Sequence, residues 1–230
     1  LEEIPDNVKK ELNIVPVAKV DEVLEHALTE KLSPLTWEEA QADLAAIGWG
    51  LGAYRFGRYR RSPKAQSKLL LGQNYNKKEI QRIVETTWLT RDLINTPPGD
   101  MMPQHLATQI SALAQRYNAV FRQIVGENLL HENYPAIYSV GCASKHLPRL
   151  LDLQWGERNN PKVTIIGKGV CFDSGGLNLK PGNSMRLMKK DMGGGAHAIA
   201  LANLIMDAGL KVRLRLLLKG LLLRRLMFRS

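Results

Sequence analysis

The sequence is poor in cysteine, and this excludes two kinds of site. Only Cys142 and Cys171 occur among its 230 residues, and they are not spaced as a Cys-x-x-Cys pair. Two cysteines cannot form a disulfide framework, and without the paired spacing they do not predict a zinc knuckle. The sequence therefore predicts a protein that keeps its thiols reduced, as proteins of the cytoplasm do.

Long apolar runs are also missing. No stretch of 18 or more apolar residues occurs, so the sequence predicts no membrane-spanning helix and no membrane partner. The start of the sequence also lacks the basic and then apolar pattern of a secretory signal. With 44% hydrophobic and 23% charged residues, the composition is typical of a folded globular protein.

Acidic residues are absent from the last part of the sequence. The formal net charge is +10, yet residues 211–230 alone carry seven basic and no acidic groups. A second basic stretch, 55–68, holds six basic residues interleaved with aromatic ones. Such a stretch can form a surface that binds nucleic acid. We favour the interpretation that this stretch is a solvated surface linker, and we do not expect nucleic-acid binding.

Hydrophobic periodicity predicts helices alternating with strands. A helix starts at Asn76 and ends near Asn95, and another starts at Met102-Pro103 with Leu106, Ile110 and Leu113 on one face. An earlier helix begins after Thr36 and is expected to break at Gly48 and Gly50. A last helix covers Gly195–Ala208. Strands are predicted at Ala119–Val125, Ala136–Val140, Leu150–Leu153, Val163–Ile166 (as a buried parallel strand) and Val212–Leu218. This alternation predicts a layered α/β fold.

One glycine-rich stretch, 167–196, contains the candidate functional residues. Lys168, Asp173, Lys180 and Asp191 lie there among glycines and apolar residues, where a predicted strand leaves the sheet. Carboxylate oxygens together with a neutral lysine amine suit Mn²⁺, Mg²⁺ or Zn²⁺. The same four residues would equally make two Lys–Asp ion pairs that hold a turn. The residues alone leave both interpretations open.

The sequence of this stretch resembles a known family. Gly-Lys-Gly-Val-Cys-Phe-Asp-Ser-Gly-Gly-Leu-Asn-Leu-Lys at 167–180 is similar to the first signature of the leucyl aminopeptidase (cytosol aminopeptidase, M17 peptidase) family, and Met-Arg-Leu-Met-Lys-Lys-Asp-Met-Gly-Gly at 185–194 resembles its companion stretch. Segments 91–98 and 51–59 look like family segments too. The resemblance extends from about residue 35 to about residue 218.

The resemblance implies a role for each of the four charged residues. Lys168 matches the lysine that binds one metal ion through its amine, and Asp173 matches the carboxylate that bridges two ions. Asp191 matches a further ligand of the ion held by Lys168. Lys180 matches the catalytic lysine that polarises the scissile carbonyl group. The family further implies two Mn²⁺ or Zn²⁺ ions, peptide substrates with a free N-terminus, a hexamer and a cytoplasmic location.

The sequence departs from the family after Asp191. The second family signature, Asn-Thr-Asp-Ala-Glu-Gly-Arg, is missing. The last glutamate is Glu157, and Asp207 is the only acidic residue after Asp191. We therefore expect at most one weak metal site and an impaired or inactive aminopeptidase. The alternatives are an inactive fragment or scaffold, and a basic nucleic-acid or membrane-surface binder.

The domain organisation follows from the same comparison of motifs. Residues 1–78 are expected to be an N-terminal domain remnant with a linker. Residues 79–230 are expected to be the first half of a layered α/β/α catalytic domain, with an atypical tail at 219–230 that resembles nothing in the family. An incomplete sheet leaves apolar surface exposed, so we expect the chain to associate with itself.

Overall fold

The structure, a computed structural model, describes residues 37–60, 68–71, 75–174 and 179–223. The chain divides into two compact units, Leu1–Ala40 and Gln41–Ser230. The expected domain boundary near residue 78 stays a prediction. The helices are α1 (Trp37–Gly52), α2 (Lys77–Asn95), α3 (Pro103–Arg116), α4 (Asn128–His131), α5 (Pro135–Gly141), α6 (Gly182–Arg186) and α7 (Gly193–Asp207), with 3-10 turns at Pro98–Asp100 and Met188–Met192.

Four strands form one mixed sheet. They are β1 (Val120–Val125), β2 (Arg149–Trp155), β3 (Lys162–Asp173) and β4 (Arg213–Leu223), in the spatial order β1-β2-β4-β3. β1 and β4 both pair with β2 in antiparallel fashion, whereas β3 and β4 are parallel. The predicted α/β fold class is confirmed. Within the described ranges, no helix is long and apolar enough to cross a bilayer.

The main core lies between the sheet and helices α3 and α7. Alternate strand residues point to this face, because successive side chains of a strand point to opposite sides. They meet the apolar faces of the two helices. The fully buried side chains of this core include Leu151, Leu153, Leu214, Leu216, Leu106, Ile110 and Ile199.

Helices α2 and α3 form where the periodicity predicts them. The Asn76 side chain accepts a hydrogen bond from the backbone N–H of Glu79 at 3.2 Å and so caps α2. Thr96 and the two prolines that follow end that helix, because proline cannot donate to the preceding turn. Pro103 occupies the first turn of α3, where its missing N–H costs nothing.

The strand predicted at Ala136–Val140 is wrong, because these residues belong to helix α5. Pro135 opens the helix, and the Ser139 hydroxyl donates to the Pro135 carbonyl at 2.8 Å, one helical turn back. Five apolar or small residues carry no periodicity that separates a strand from a short helix. Gly141, which ends α5, lies so close to Pro148 and Leu221 that an added methyl carbon would be 2.6 Å from the Pro148 Cβ.

The expected break of the first helix at Gly48 and Gly50 is also wrong, since α1 continues to Gly52. Gly50 faces Val84 of α2, and a methyl carbon added to it would lie 2.7 Å from the Val84 Cγ2. Ala46, Ile80 and Val84 form a second, smaller core between the two helices. Here glycine allows two helices to approach closely, and this tertiary contact outweighs its low helix propensity.

Strands β3 and β4 both differ from their predicted extents. β3 is parallel to β4, as expected, but it lies at the edge of the described sheet, and Ile166 is 78% exposed. The expectation of a buried strand is therefore wrong for this face of β3. β4 was expected to end at Leu218 but continues through Lys219 to Leu223, because β2 and β3 flank it and supply hydrogen-bond partners. Residues 224–230 of the expected tail lie outside the described residues.

Helix α7 packs against β3 through glycines. A methyl carbon added at Gly167 would lie 2.8 Å from the Ala198 Cβ and 2.9 Å from the Gly195 Cα. Real Cβ atoms do not approach other atoms so closely, so the helix and the strand can touch only if residue 167 has no side chain. This close contact fixes the start of α7 relative to β3.

We predict that Gly167→Ala destabilises the fold by about 1–3 kcal/mol, because the added carbon forces α7 away from β3. Urea denaturation followed by circular dichroism measures this change. Gly193→Ala is the matched control, since a methyl carbon there meets only Ile94 at an ordinary 3.7 Å. An equal effect of both substitutions would contradict the close-packing explanation.

The other end of α7 is tied to α2 by an ion pair. The Arg82 Nε atom lies 2.7 Å from the Asp207 Oδ2 atom, and the Tyr117 hydroxyl donates to Oδ1 at 3.1 Å. The Arg82 guanidinium group lowers the pKa of Asp207, and the Tyr117 hydroxyl lowers it further, although partial burial opposes both. Asp207 therefore stabilises the fold as a carboxylate.

We predict that Asp207→Asn lowers the free energy of unfolding at pH 7 by about 1–2 kcal/mol. A carboxyl group whose folded-state pKa is lowered contributes stability above its unfolded pKa of about 3.9. That contribution disappears as the pH falls through the folded-state pKa. The free energies of unfolding of the variant and of the original chain should therefore become equal there. Urea midpoints measured between pH 7 and pH 3 test this. Glu157→Gln, in an exposed turn, is the control and should leave the urea midpoint at pH 7 unchanged.

Candidate metal centre

The four charged residues singled out in the sequence lie at one end of β3 and before α7. Lys168 lies within β3, and Asp173 is the last residue of that strand. Lys180 precedes the short helix α6, and Asp191 lies in the 3-10 turn Met188–Met192 that leads into α7. The glycine contact between β3 and α7 thus brings the two parts of the glycine-rich stretch together.

The four residues form two ion pairs. The Lys168 Nζ atom lies 2.5 Å from the Asp191 Oδ1 atom, and the Lys180 Nζ atom lies 2.6 Å from the Asp173 Oδ2 atom. The two carboxylates are largely buried, with side-chain exposures of 18% for Asp191 and 19% for Asp173. The Lys168 side chain is 54% exposed, so its ion pair with Asp191 contributes little to the stability of the fold.

Lys180 is held in place by more than its ion pair. Its backbone N–H donates to the Ser174 carbonyl at 3.3 Å, and its Nζ atom lies 3.1 Å from the Met188 sulfur. These contacts close the loop between β3 and α6, whose residues 175–178 lie outside the described residues. The ammonium group therefore has a defined position beside Asp173.

Positive charge exceeds negative charge around the two pairs. Lys168 lies directly opposite Lys219 in the parallel register of β3 and β4, and Lys189 and Lys190 immediately precede Asp191. Each of the two carboxylates is already neutralised by an ammonium group. A divalent cation would have to displace these ammonium groups or bind a lysine as its neutral amine.

The donor atoms fit part of a metal centre and do not fit two ions. Two carboxylates and one amine are donors that suit a divalent transition-metal ion. Two ions close together repel strongly and need more carboxylates than these to offset the repulsion. Among the described residues, no group of three or more histidine, cysteine, aspartate or glutamate side chains is placed to hold a metal ion.

Asp207 cannot supply the missing ligand. It lies at the end of α7, whose 15 residues place it about 21 Å along the helix axis from the turn that holds Asp191. Its carboxylate is also bound by Arg82 and Tyr117. The only carboxylate that follows Asp191 in the sequence therefore has a structural role.

Three other candidate ligands have local partners. The His197 Nδ1 atom lies 2.7 Å from the Gly193 carbonyl oxygen of its own helix. The His146 Nδ1 atom lies 3.1 Å from the Gln104 amide nitrogen, and the Cys142 sulfur contacts the Ser139 carbonyl oxygen. Each of these three side chains therefore has a partner within the protein.

Comparison with known proteins decides the family. The catalytic-domain profile of the cytosol aminopeptidase family matches residues 88–221, which is more than half of the chain. The chain belongs to the cytosol aminopeptidase family. The match extends past Leu218, so the first residues of the expected atypical tail are part of the family domain.

Individual members of the cytosol aminopeptidase family are similar over most of this chain. The probable cytosol aminopeptidase of Rhodococcus jostii is 34% identical over 186 residues, which cover 73% of this chain and 37% of that protein. The crystal structure of cytosol aminopeptidase from Coxiella burnetii superposes with a TM-score of 0.75 at 46% identity, covering 79% of this chain and 39% of its own.

A second solved structure is the bottromycin maturation enzyme BotP in complex with Mn. It is 34% identical, with a TM-score of 0.70, and the match covers 80% of this chain and 40% of BotP. The chain thus spans about two fifths of the length of the cytosol aminopeptidase relatives that it matches.

Arg149 is a charged residue that the sequence analysis did not single out. It lies at the start of β2, and its buried Nε atom has no hydrogen-bond partner among the described residues. A single arginine before an apolar strand carries no motif, so no sequence signal could have identified it.

We predict that only one of the two thiols reacts in the folded chain. Cys171 lies between Lys168 and Asp173 in the sequence, but its side chain is 1% exposed, and burial raises its pKa to about 12. Cys142 is exposed. Because the thiolate is the reactive form, Cys171 should react at least about a hundredfold more slowly at pH 8.

Titration with a disulfide reagent such as DTNB measures this difference. It should find one rapid thiol in buffer and two in denaturant. Cys142→Ser should remove the rapid phase. A second rapid thiol in that variant would contradict the buried position of Cys171.

Proposed function

We propose that this chain carries the first half of the active site of a metal-dependent aminopeptidase. The observation that supports the proposal is the pairing of Lys168 with Asp191 and of Lys180 with Asp173 within the family-matched segment. Peptides with a free N-terminus are the proposed substrates of the complete enzyme. Its proposed location is the cytoplasm, in keeping with the names of the relatives, and its proposed assembly is the hexamer implied by the family resemblance.

We assign Lys168, Asp173 and Asp191 as metal ligands. They supply the amine and carboxylate donors that divalent ions such as Mn²⁺ or Zn²⁺ accept, and BotP, a relative of similar fold, has been solved with Mn. The same residues also hold one another as ion pairs in this chain. The metal-free site is therefore already neutralised, and we expect a metal ion to compete with the lysines for the carboxylates.

We assign Lys180 as the catalytic residue. Its ammonium group is oriented by Asp173 and by the Met188 sulfur, and 29% of its side chain remains exposed, so that a substrate can reach it. A fixed cation beside a carbonyl oxygen stabilises negative charge that develops there. The described residues do not provide ligands for two ions, and we therefore propose that this chain alone is inactive or strongly impaired.

The basic stretch 55–68 gives no support to a nucleic-acid binder. The Tyr59 hydroxyl of this stretch donates to Asp100, and the hydroxyl of Tyr54, which precedes the stretch, donates to Asp92, so both aromatic side chains bind the protein itself. Arg91 lies over the Tyr54 ring and donates to the Leu51 carbonyl. Residues 61–67 of the stretch lie outside the described residues. We propose no second function.

We predict that the chain binds no more than one Mn²⁺ ion, and weakly. Three protein donors leave an ion mostly hydrated, and the two ammonium groups compete for the carboxylates. Isothermal titration calorimetry of the 230-residue chain tests this. Asp191→Ala should abolish the heat of binding. Asp152→Asn, which changes a carboxylate paired with Arg215 on the sheet, should leave it unchanged.

Hydrolysis of an aminoacyl arylamide in the presence of Mn²⁺ completes the test. Turnover should be indistinguishable from that of Asp173→Ala. Two tight Mn²⁺ sites would contradict the proposed half-site. So would Mn²⁺-dependent release of N-terminal leucine that Lys180→Ala abolishes, since that result would mean that a ligand set outside the described residues completes the centre.

A further inference from the structure

A polar groove runs between helix α3 and the β1 side of the sheet. Its volume is about 390 Å³, which lies within the range of small-molecule sites. One wall is a stripe of α3 residues spaced by three or four positions, and the other wall consists of side chains from β1 and β2. The polar lining residues are Gln104, Thr108, Ser111 and Gln115 on the helix, and Gln123 and Arg149 on the strands.

Among the described residues that line this groove, Arg149 alone is charged, and no described carboxylate pairs with it. The aliphatic part of its side chain packs over Gly220 of β4. A methyl carbon added at Gly220 would lie 3.4 Å from the Arg149 Cγ atom. The Nη1 atom donates to the Gln123 side-chain oxygen at 3.0 Å, whereas the buried Nε atom has no partner. Within the described part of the chain, Arg149 forms no ion pair with a carboxylate.

Partial burial also affects the Arg149 guanidinium group. Desolvation lowers its pKa. An arginine remains protonated even when its pKa is lowered, because its ordinary value exceeds 12. A partly desolvated cation therefore faces the groove without a counter-charge, which is unfavourable.

The remaining lining suits an anion. None of the described lining residues is acidic, so none of them repels negative charge. The amide groups of Gln104, Gln115 and Gln123 and the hydroxyl group of Ser111 can donate hydrogen bonds. A guanidinium group binds planar or tetrahedral oxyanions through two parallel N–H groups.

We propose that this groove is a binding site for an oxyanion, the carboxylate or phosphate group of a small ligand, held by Arg149 and the polar residues of α3. The site is separate from the Lys168–Asp191 and Lys180–Asp173 pairs and does not depend on the proposed function. Its ligand balances the charge of Arg149, the one charged side chain among the described lining residues.

Calorimetric titration of the 230-residue chain with inorganic phosphate and, separately, with succinate tests the proposal. Ionic strength is held constant with sodium chloride, so that general screening does not change. We expect one site per chain for at least one of the two anions. Arg149→Gln should weaken that binding at least about tenfold, because it removes the charged donor.

Arg122→Gln is the matched control. Arg122 lies next to Gln123 on β1, but it points to the opposite face of the sheet and pairs with Glu132. The variant therefore loses the same charge at nearly the same place, and binding should stay within about twofold of that of the original chain. An equal loss in both variants would mean that the anion senses only net charge and would overturn the proposal.

The two anions distinguish the source of the oxyanion. Binding of phosphate alone indicates a phosphorylated ligand, and binding of succinate alone indicates a carboxylate ligand. Binding of neither anion overturns the proposal, as does unchanged binding to Arg149→Gln. If Arg149→Gln does not fold, Ser111→Leu serves as the second test variant, because the larger side chain fills the groove from the helix side and should weaken binding. Anion binding that is unchanged in Ser111→Leu would also overturn the proposal.

Discussion

The close approach of helix α7 to strand β3 is the constraint on which the candidate site depends. Gly167 on the strand and Gly195 on the helix leave no room for a side chain between them. Their contact fixes the turn that precedes α7 beside β3, and in that position Asp191 reaches Lys168. These two glycines thus act by setting the spacing between two backbone segments.

The ion pairs of the site reflect a balance between charge and burial. Two largely buried carboxylates need positive partners, and two lysines of the same stretch provide them when no metal ion does. The sequence analysis left metal ligation and Lys–Asp pairing open as alternatives. The structure shows the Lys–Asp pairs, and metal ligation by the same residues stays a proposal.

Sequence reasoning succeeded where a helical repeat was sustained and gave mixed results for short segments. The 3.6-residue repeat of Leu106, Ile110 and Leu113 predicted α3, and the four residues Leu150–Leu153 were correctly predicted to be a strand, β2. The run Ala136–Val140 was too short to separate a strand from a helix, and the exposure of Ile166 depends on which strands flank β3. Convergence of Lys168 with Asp191 followed from family resemblance, whereas the unpaired Nε of Arg149 depends on packing that no local pattern encodes.

The position of β4 in the sheet has a consequence for the order of folding. It is the last described element in the chain, yet it lies between β2 and β3 and pairs with both. During synthesis, β1 and β2 can pair as soon as they leave the ribosome, but β3 has no partner among the described strands until residues 213–223 emerge. The sheet must therefore close late, by bringing together segments far apart in sequence, which is a slow kind of step.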